Sequence, residues 1–198
     1  MKKVFTITDK EIIKNILDEA EFGTLALCYE NRPYAIPMNF VEVKDEIYFH
    51  GAKKGKKLDF IEHNDYASFC VVESFSILQS YFSTNDGSAC PATHFFKSII
   101  IDGKIKMVQE YDEKVEALES LMQKLQREGN YIPLQNSMYK KMINATTLFK
   151  LVPDETTCKL KFGQDFNQER FERVCKYLKQ RGTPKDLATI KLMSLYKS

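Results

Sequence analysis

The spacing of apolar positions changes several times along the chain, and each change marks an element. Ile12, Ile13, Ile16, Leu17 and Ala20 fall on one helical face. Thr8 followed by Glu11 has capping-box spacing, so a helix is predicted over 8–20, stopped at Gly23. Residues 24–29, 34–43 and 46–50 then read as strands joined by short polar turns, an antiparallel meander. Helical spacing returns with Leu58 and Ile61, and residues 67–73 form another strand. Residues 74–92 begin with some strand and pass into a loop over 85–91. Residues 94–108 form one long strand with a bulge or bend at Gly103. A helix over 112–127, a short one over 137–143 and a last strand over 146–152, stopped by Pro153, follow. Two more helices are expected at 167–181 and 184–196, split by Gly182-Thr183-Pro184.

About six strands adjacent in sequence, with helices at the ends and between them, predict a mainly β fold with α: a barrel or curled antiparallel sheet. No βαβ alternation and no Gly-x-Gly-x-x-Gly after a strand is present, which argues against a doubly wound dinucleotide fold. The chain divides by this reading into residues 1–154 and a helical, basic extension over 155–198.

Composition narrows the class. Hydrophobic residues make up 43% of the 198 and charged residues 28%, ordinary globular values. No apolar run approaches the ~20 residues of a membrane helix. The start is basic but meets Asp9, unlike a signal peptide. A formal net charge of +2 does not suggest a nucleic-acid binder. That charge is uneven: residues 155–198 hold ten Lys/Arg and five Asp/Glu, a net of +5. The five cysteines (28, 70, 90, 158 and 175) include no Cys-x-x-Cys pair, which predicts free thiols in a reducing cytoplasm. His50, His63 and His94 form no tight metal spacing with them, so no metal site is expected.

Three segments carry candidate chemistry. In His50-Gly51-Ala52-Lys53-Lys54-Gly55-Lys56-Lys57 a strand ends, two glycines flank a turn, and four lysines gather as a helix begins. Glycines admit close backbone approach, a helix start favours negative charge, and lysines add point charges, so a phosphate could bind here. A solvated lysine-rich loop is the alternative on the residues alone. His50, at the strand end, could contact a cofactor or donate a proton near neutral pH. In Tyr34-Ala35-Ile36-Pro37-Met38-Asn39-Phe40 a proline inside a strand suggests an edge, a bulge or a surface reserved for something else; a flat aromatic ligand could lie against it, and an ordinary edge strand is the favoured alternative on this segment alone. Lys97 and Ser98 precede an apolar run and could contact an anion, or face solvent on an alternating strand.

Taken in order, Phe22-Gly-Thr-Leu-Ala, Pro33 to Phe40, Ile47 to Asp59, Ala89-Cys90, His94 to Gly103 and the helix from Asp112 resemble the flavin-binding split-barrel superfamily of pyridoxamine 5′-phosphate oxidase. The nitroimidazole-resistance (NimA-type) branch is the most similar. The resemblance covers roughly residues 8–152. It implies an antiparallel six-stranded split β-barrel (Greek key) and a cytoplasmic homodimer with FMN at the subunit interface. The segment Pro37, Met38, Asn39 and Phe40 would lie along the flavin ring. His50, Gly51, Ala52, Lys56 and Lys57 would hold its edge and phosphate, and Lys97 and Ser98 would add polar contacts. His50 is the implied catalytic residue. The implied activity is an FMN-dependent oxidoreductase acting on a small acceptor such as a nitroaromatic, with no membrane or nucleic-acid partner. The alternatives are a non-enzymatic flavin-binding or flavin-sensing protein and a heme-binding split barrel. In the tail, Lys159-Leu160-Lys161-Phe162-Gly163-Gln164 faintly resembles a segment that follows the barrel in some relatives.

Overall fold

The computed structural model describes residues 3–197. Among them the strands are β1 (Thr6–Ile7), β2 (Gly23–Tyr29), β3 (Arg32–Met38), β4 (Val41–Val43), β5 (Glu46–Gly51), β6 (Tyr66–Leu78), β7 (Thr93–Met107) and β8 (Thr147–Lys161). The α-helices are α1 (Lys10–Glu19), α2 (Lys56–His63), α3 (Tyr111–Leu125), α4 (Lys140–Ala145), α5 (Gln168–Arg181) and α6 (Pro184–Leu195). The strands hydrogen-bond in the order β3-β2-β6-β7-β8-β5-β4, with β1 added to β8. The β1/β8, β2/β3, β2/β6, β4/β5 and β5/β8 pairs are antiparallel. The sheet thus has eight strands where six were expected.

Two compact units divide the chain. The larger holds residues 10–71 and 99–156, the smaller residues 3–9, 72–98 and 157–197. β6, β7 and β8 give residues to both.

In the larger unit, two tight turns set the meander. Tyr29 pairs with Arg32 and Val43 with Glu46, so each hairpin turns through two residues. Glu30, Asn31, Lys44 and Asp45 all lie at positive φ, the left-handed pair a type I′ turn requires. The single strand expected over 34–43 is broken at Asn39 and Phe40. Asn39 there donates to the Glu21 carbonyl at 3.2 Å, and Phe40 is fully buried, edge-on to Phe69 at 4.9 Å. The amphipathic helix α3 covers Val41, Tyr48, Val108 and Leu148 through Ala117 and Leu121.

Two glycine and proline signals act differently from the expectation. Gly103 makes no bulge, because burial alternates through it from Ile99 to Ile105. A Cβ built on it would lie 2.1 Å from the Val152 carbonyl oxygen, so the glycine permits a close backbone approach. Pro153, on the approaching chain, does not stop β8, which runs on to Lys161.

In the smaller unit, Phe75, Phe95 and Phe162 form a buried aromatic cluster, with Phe162 5.0 Å from Phe75 and 5.9 Å from Phe95. The strand expected to continue after residue 73 runs to Leu78, and its polar residues have partners on β7. Glu73 pairs with Lys97 at 2.8 Å, and Ser74 meets His94 at 3.0 Å. The two C-terminal helices match their expected positions. Gly182 adopts the left-handed C-cap of α5, and Thr183 with Asp186 forms a capping box on α6. Asp186 is buried, bonded by Ser76 Oγ at 2.6 Å and by Arg181 Nη2 at 2.6 Å, which fixes α6 to β6 within this unit.

Candidate functional site

The lysine segment folds as the exit of β5 and the start of α2. His50 and Gly51 are the last two residues of β5 and pair with Leu148 and Thr147. Residues 52–55 form the turn, and Gly55 caps α2 at φ 119° with no side-chain hydrogen bond to the helix. Among the described residues no N-cap side chain accepts from the first backbone N–H groups of α2, the condition that suits an anion.

The lysines of the segment are not equivalent. Lys53 and Lys54 are exposed. Lys56 is also exposed, with Nζ 4.3 Å from the Tyr34 ring centre, so it ties the loop to β3. Lys57 is half-buried, with Nζ 5.8 Å from both the Phe49 and Phe149 ring centres. Burial lowers its pKa from the ordinary lysine value. No carboxylate among the described residues pairs with it. A desolvated ammonium without a counter-charge is unfavourable unless something anionic completes it.

A cavity of 270 Å³ adjoins this loop, lined among others by Lys53, Leu58, Thr147 and Lys114. Lys114 is buried and donates to the Thr146 carbonyl at 3.1 Å. Sequence reading did not single it out, because a lysine in the first turns of an amphipathic helix ordinarily faces water.

The remaining candidates fall as follows. β3 ends the hydrogen-bonding order, and Pro37 on it is exposed, as expected of an edge proline. Met38 is half-buried, Asn39 exposed, and the Phe40 side chain faces the core beneath the Lys124 ammonium, 3.7 Å away. His50 and Ala52 are exposed, and the His50 imidazole makes no hydrogen bond among the described residues. Pro37 to Phe40 and His50 to Lys57 therefore share the larger unit. Lys97 and Ser98 belong to the smaller unit, where Glu73 neutralises Lys97. His63 stacks on Tyr29 at 4.3 Å and bonds the Asp59 carbonyl at 2.7 Å, a helix-end role. All five cysteines are unpaired, and burial pushes the Cys158 thiol up to about 11.

An antiparallel sheet here sets Lys57, with no carboxylate partner among the described residues, beside the glycine-flanked start of α2. Residues 9–160 match the family model of pyridoxamine 5′-phosphate oxidase, and the chain belongs to that family. Solved structures share the fold. A candidate 5-nitroimidazole antibiotic resistance protein from Bacteroides thetaiotaomicron is 21% identical with a TM-score of 0.63, over 78% of this chain and 85% of that one. A FAD and heme binding protein from Mycobacterium smegmatis is 21% identical with a TM-score of 0.66, over 84% and 78%. A flavocytochrome from Azotobacter vinelandii is 20% identical with a TM-score of 0.65, over 87% and 78%. No curated protein matches the sequence. No helix among the described residues is long and apolar enough to cross a membrane.

Proposed function

We propose that the chain is an FMN-dependent oxidoreductase that takes electrons from a reduced nicotinamide and passes them to a small planar acceptor, nitroaromatics among them. The observation that carries this reading is the half-buried Lys57 ammonium beside Gly51, lacking a counter-charge at the open start of α2. The residues fit a phosphate. Lys57 and the first N–H groups of α2 would hold it, with exposed Lys56 adding charge. The exposed edge of β3 at Pro37 leaves a flat backbone surface for a ring. A bound flavin supplies the redox chemistry, and the chain's share is to fix it and limit water. His50, exposed and free of hydrogen bonds among the described residues, would orient the acceptor or deliver a proton to it. The kinship with a nitroimidazole-resistance fold and two flavin- or heme-related folds supports the class.

A homodimer is part of the proposal. Phe22, Tyr66, Met107 and Ile100 of the larger unit are 58%, 48%, 46% and 41% exposed, large apolar side chains that a second copy would cover. The unpaired cysteines fit a cytoplasmic, reducing setting.

The test is the absorption spectrum of the purified protein, followed by titration with FMN. Flavin bands or quenched FMN fluorescence support the reading, and an absence of both rejects it. Anaerobic oxidation of NADH or NADPH with a nitroaromatic acceptor then separates an oxidoreductase from a flavin-binding protein without turnover. A Soret band would instead favour heme, for which His50, His63 and His94 are the available imidazoles.

A further inference from the structure

The smaller unit contains a second cleft, of 570 Å³, that no part of the flavin reading uses. Its basic wall is Lys159 and Lys161 from β8 and Arg170 from the first turn of α5; Asp165 is the acidic residue of the lining. Phe5, Phe166 and the 90–93 segment supply apolar surface. Four of these residues, Lys161, Asp165, Phe166 and Arg170, lie beyond the family match, which ends at residue 160.

The wall is organised before any ligand arrives. Gln164 accepts from the Phe162 N–H at 2.8 Å and donates to the Leu160 carbonyl at 2.9 Å, which fastens the turn after β8. Gly163, at φ 76°, lets the Phe166 ring lie where a side chain would otherwise stand, 2.7 Å from a built Cβ. The Arg170 guanidinium carbon lies 3.8 Å from the Phe166 ring centre, a stacked cation–π pair. Its Nε is buried and bonds nothing among the described residues. Burial also lowers the guanidinium pKa, so this cation is poorly solvated. Lys159 spans the Phe5 and Phe96 rings, with Nζ 5.7 and 5.2 Å from their centres, and has no carboxylate partner among the described residues. Lys161 donates to the Thr93 hydroxyl, which positions the 90–93 segment.

We infer that this cleft binds a small anionic aromatic molecule of mononucleotide size, its phosphate or carboxylate held by Lys159 and Arg170 and its flat body laid on the Arg170–Phe166 stack. Lys159 and Arg170, neither paired with a carboxylate among the described residues, select an anion. The volume falls in the range of small-molecule sites and exceeds what one inorganic anion fills. A preformed guanidinium-on-ring stack suits a planar body. An orphaned, buried guanidinium N–H is the feature such a ligand would satisfy.

Calorimetric titration of the full chain with adenosine 5′-monophosphate, adenosine and inorganic phosphate tests this. The monophosphate is expected to bind saturably with a Kd below about 1 mM, at least about tenfold tighter than either fragment. Lys57→Met should leave that affinity unchanged. Lys159→Gln and Arg170→Met should each weaken it about tenfold or more, with unchanged melting temperature. The inference is overturned if the monophosphate does not saturate, if adenosine or phosphate binds as well, or if Lys57→Met removes the binding while Lys159→Gln does not. The fragment comparison uses the unaltered protein, so it holds even if Arg170→Met fails to fold.

Discussion

Lys57 and Gly51 compete for one space: a Cβ built on Gly51 would lie 2.1 Å from the Lys57 ammonium nitrogen. The obstacle is the far end of a flexible side chain, so an alanine there expels the ammonium and leaves the sheet intact. Gly51→Ala and Lys57→Met are both expected to weaken FMN binding by about 10- to 100-fold, the worth of one charge-assisted contact. Lys56→Met should cost clearly less. Lys57→Met should not lower the melting temperature of the flavin-free protein, because it removes a desolvated charge. Equal effects of Lys56→Met and Lys57→Met in the fluorescence titration would contradict the assignment.

His50 reaches solvent at the end of β5 and takes no part in holding the strand through its side chain. His50→Gln should therefore preserve flavin content and stability. Turnover with a nitroaromatic should fall by about 100-fold, the usual worth of a positioned proton donor. Full activity in the variant would remove His50 from the chemistry.

Gly103 meets rigid backbone where Gly51 meets a flexible tip. In Gly103→Ala the added carbon would face the Val152 carbonyl oxygen at 2.1 Å and the Pro153 Cα at 3.0 Å. Neither can swing aside. The expected loss is about 3 kcal/mol or more, at the upper end of overpacking costs, read as a lower midpoint in urea with an unchanged slope.

Asp186 is held by Arg181, Ser76 and Thr183, which keep its carboxyl well below the usual range. Its folded pKa is depressed, so its stabilising share is complete above the unfolded value of about 3.9 and fades as pH falls below it. Asp186→Ala should destabilise by about 3–5 kcal/mol at neutral pH, because it leaves Ser76 and Arg181 facing a gap. Melting temperature followed from pH 5 downward should decline less steeply in the variant than in the parent.

At Lys124 the fold disfavours the charged form instead. Its ammonium lies over Phe40 and donates to the Leu17 carbonyl at 2.7 Å, and burial pulls its pKa down to about 8. The unfolded chain, with a lysine pKa near 10.4, binds the proton more tightly between those values, so stability contributed by this site rises from about pH 8 to pH 10. Solvent screening limits the effect to about 1–2 kcal/mol. Subtracting the denaturation free energies of Lys124→Met across that window should isolate it; a flat difference would refute it.

The hairpin turns, the amphipathic helices and the glycine-flanked lysine segment were all readable from residue order. They depend on local chemistry: turn positions, apolar spacing and charge density. The errors arose where a distant residue decides. Pro153 reads as a strand end, yet Gly103 lets the chain pass close beside it. The strand after residue 73 reads without a clear end, because the partners of Glu73 and Ser74, Lys97 and His94, lie on β7. Phe40 reads as one more alternating position, yet it turns fully inward and splits the strand. Lys56 and Lys57 are adjacent and chemically identical in sequence, and only the space left by Gly51 distinguishes them. Arg170 gives no local sign of its role, because its stack depends on a ring placed by Gly163.

The division of the chain into interleaved units bears on how the protein is made. The larger unit draws nothing from beyond residue 156, so a ribosome has delivered all of it before the C-terminal helices emerge. The smaller unit joins residues 3–9 to residues 157–197 and must wait until the latter have been made. Buried Phe5 therefore spends most of synthesis without Leu160 and Phe162, the late residues of its own unit. Production of this protein should consequently be more sensitive to chaperone supply than its folded stability alone implies, and slow synthesis should not help the late unit to form early.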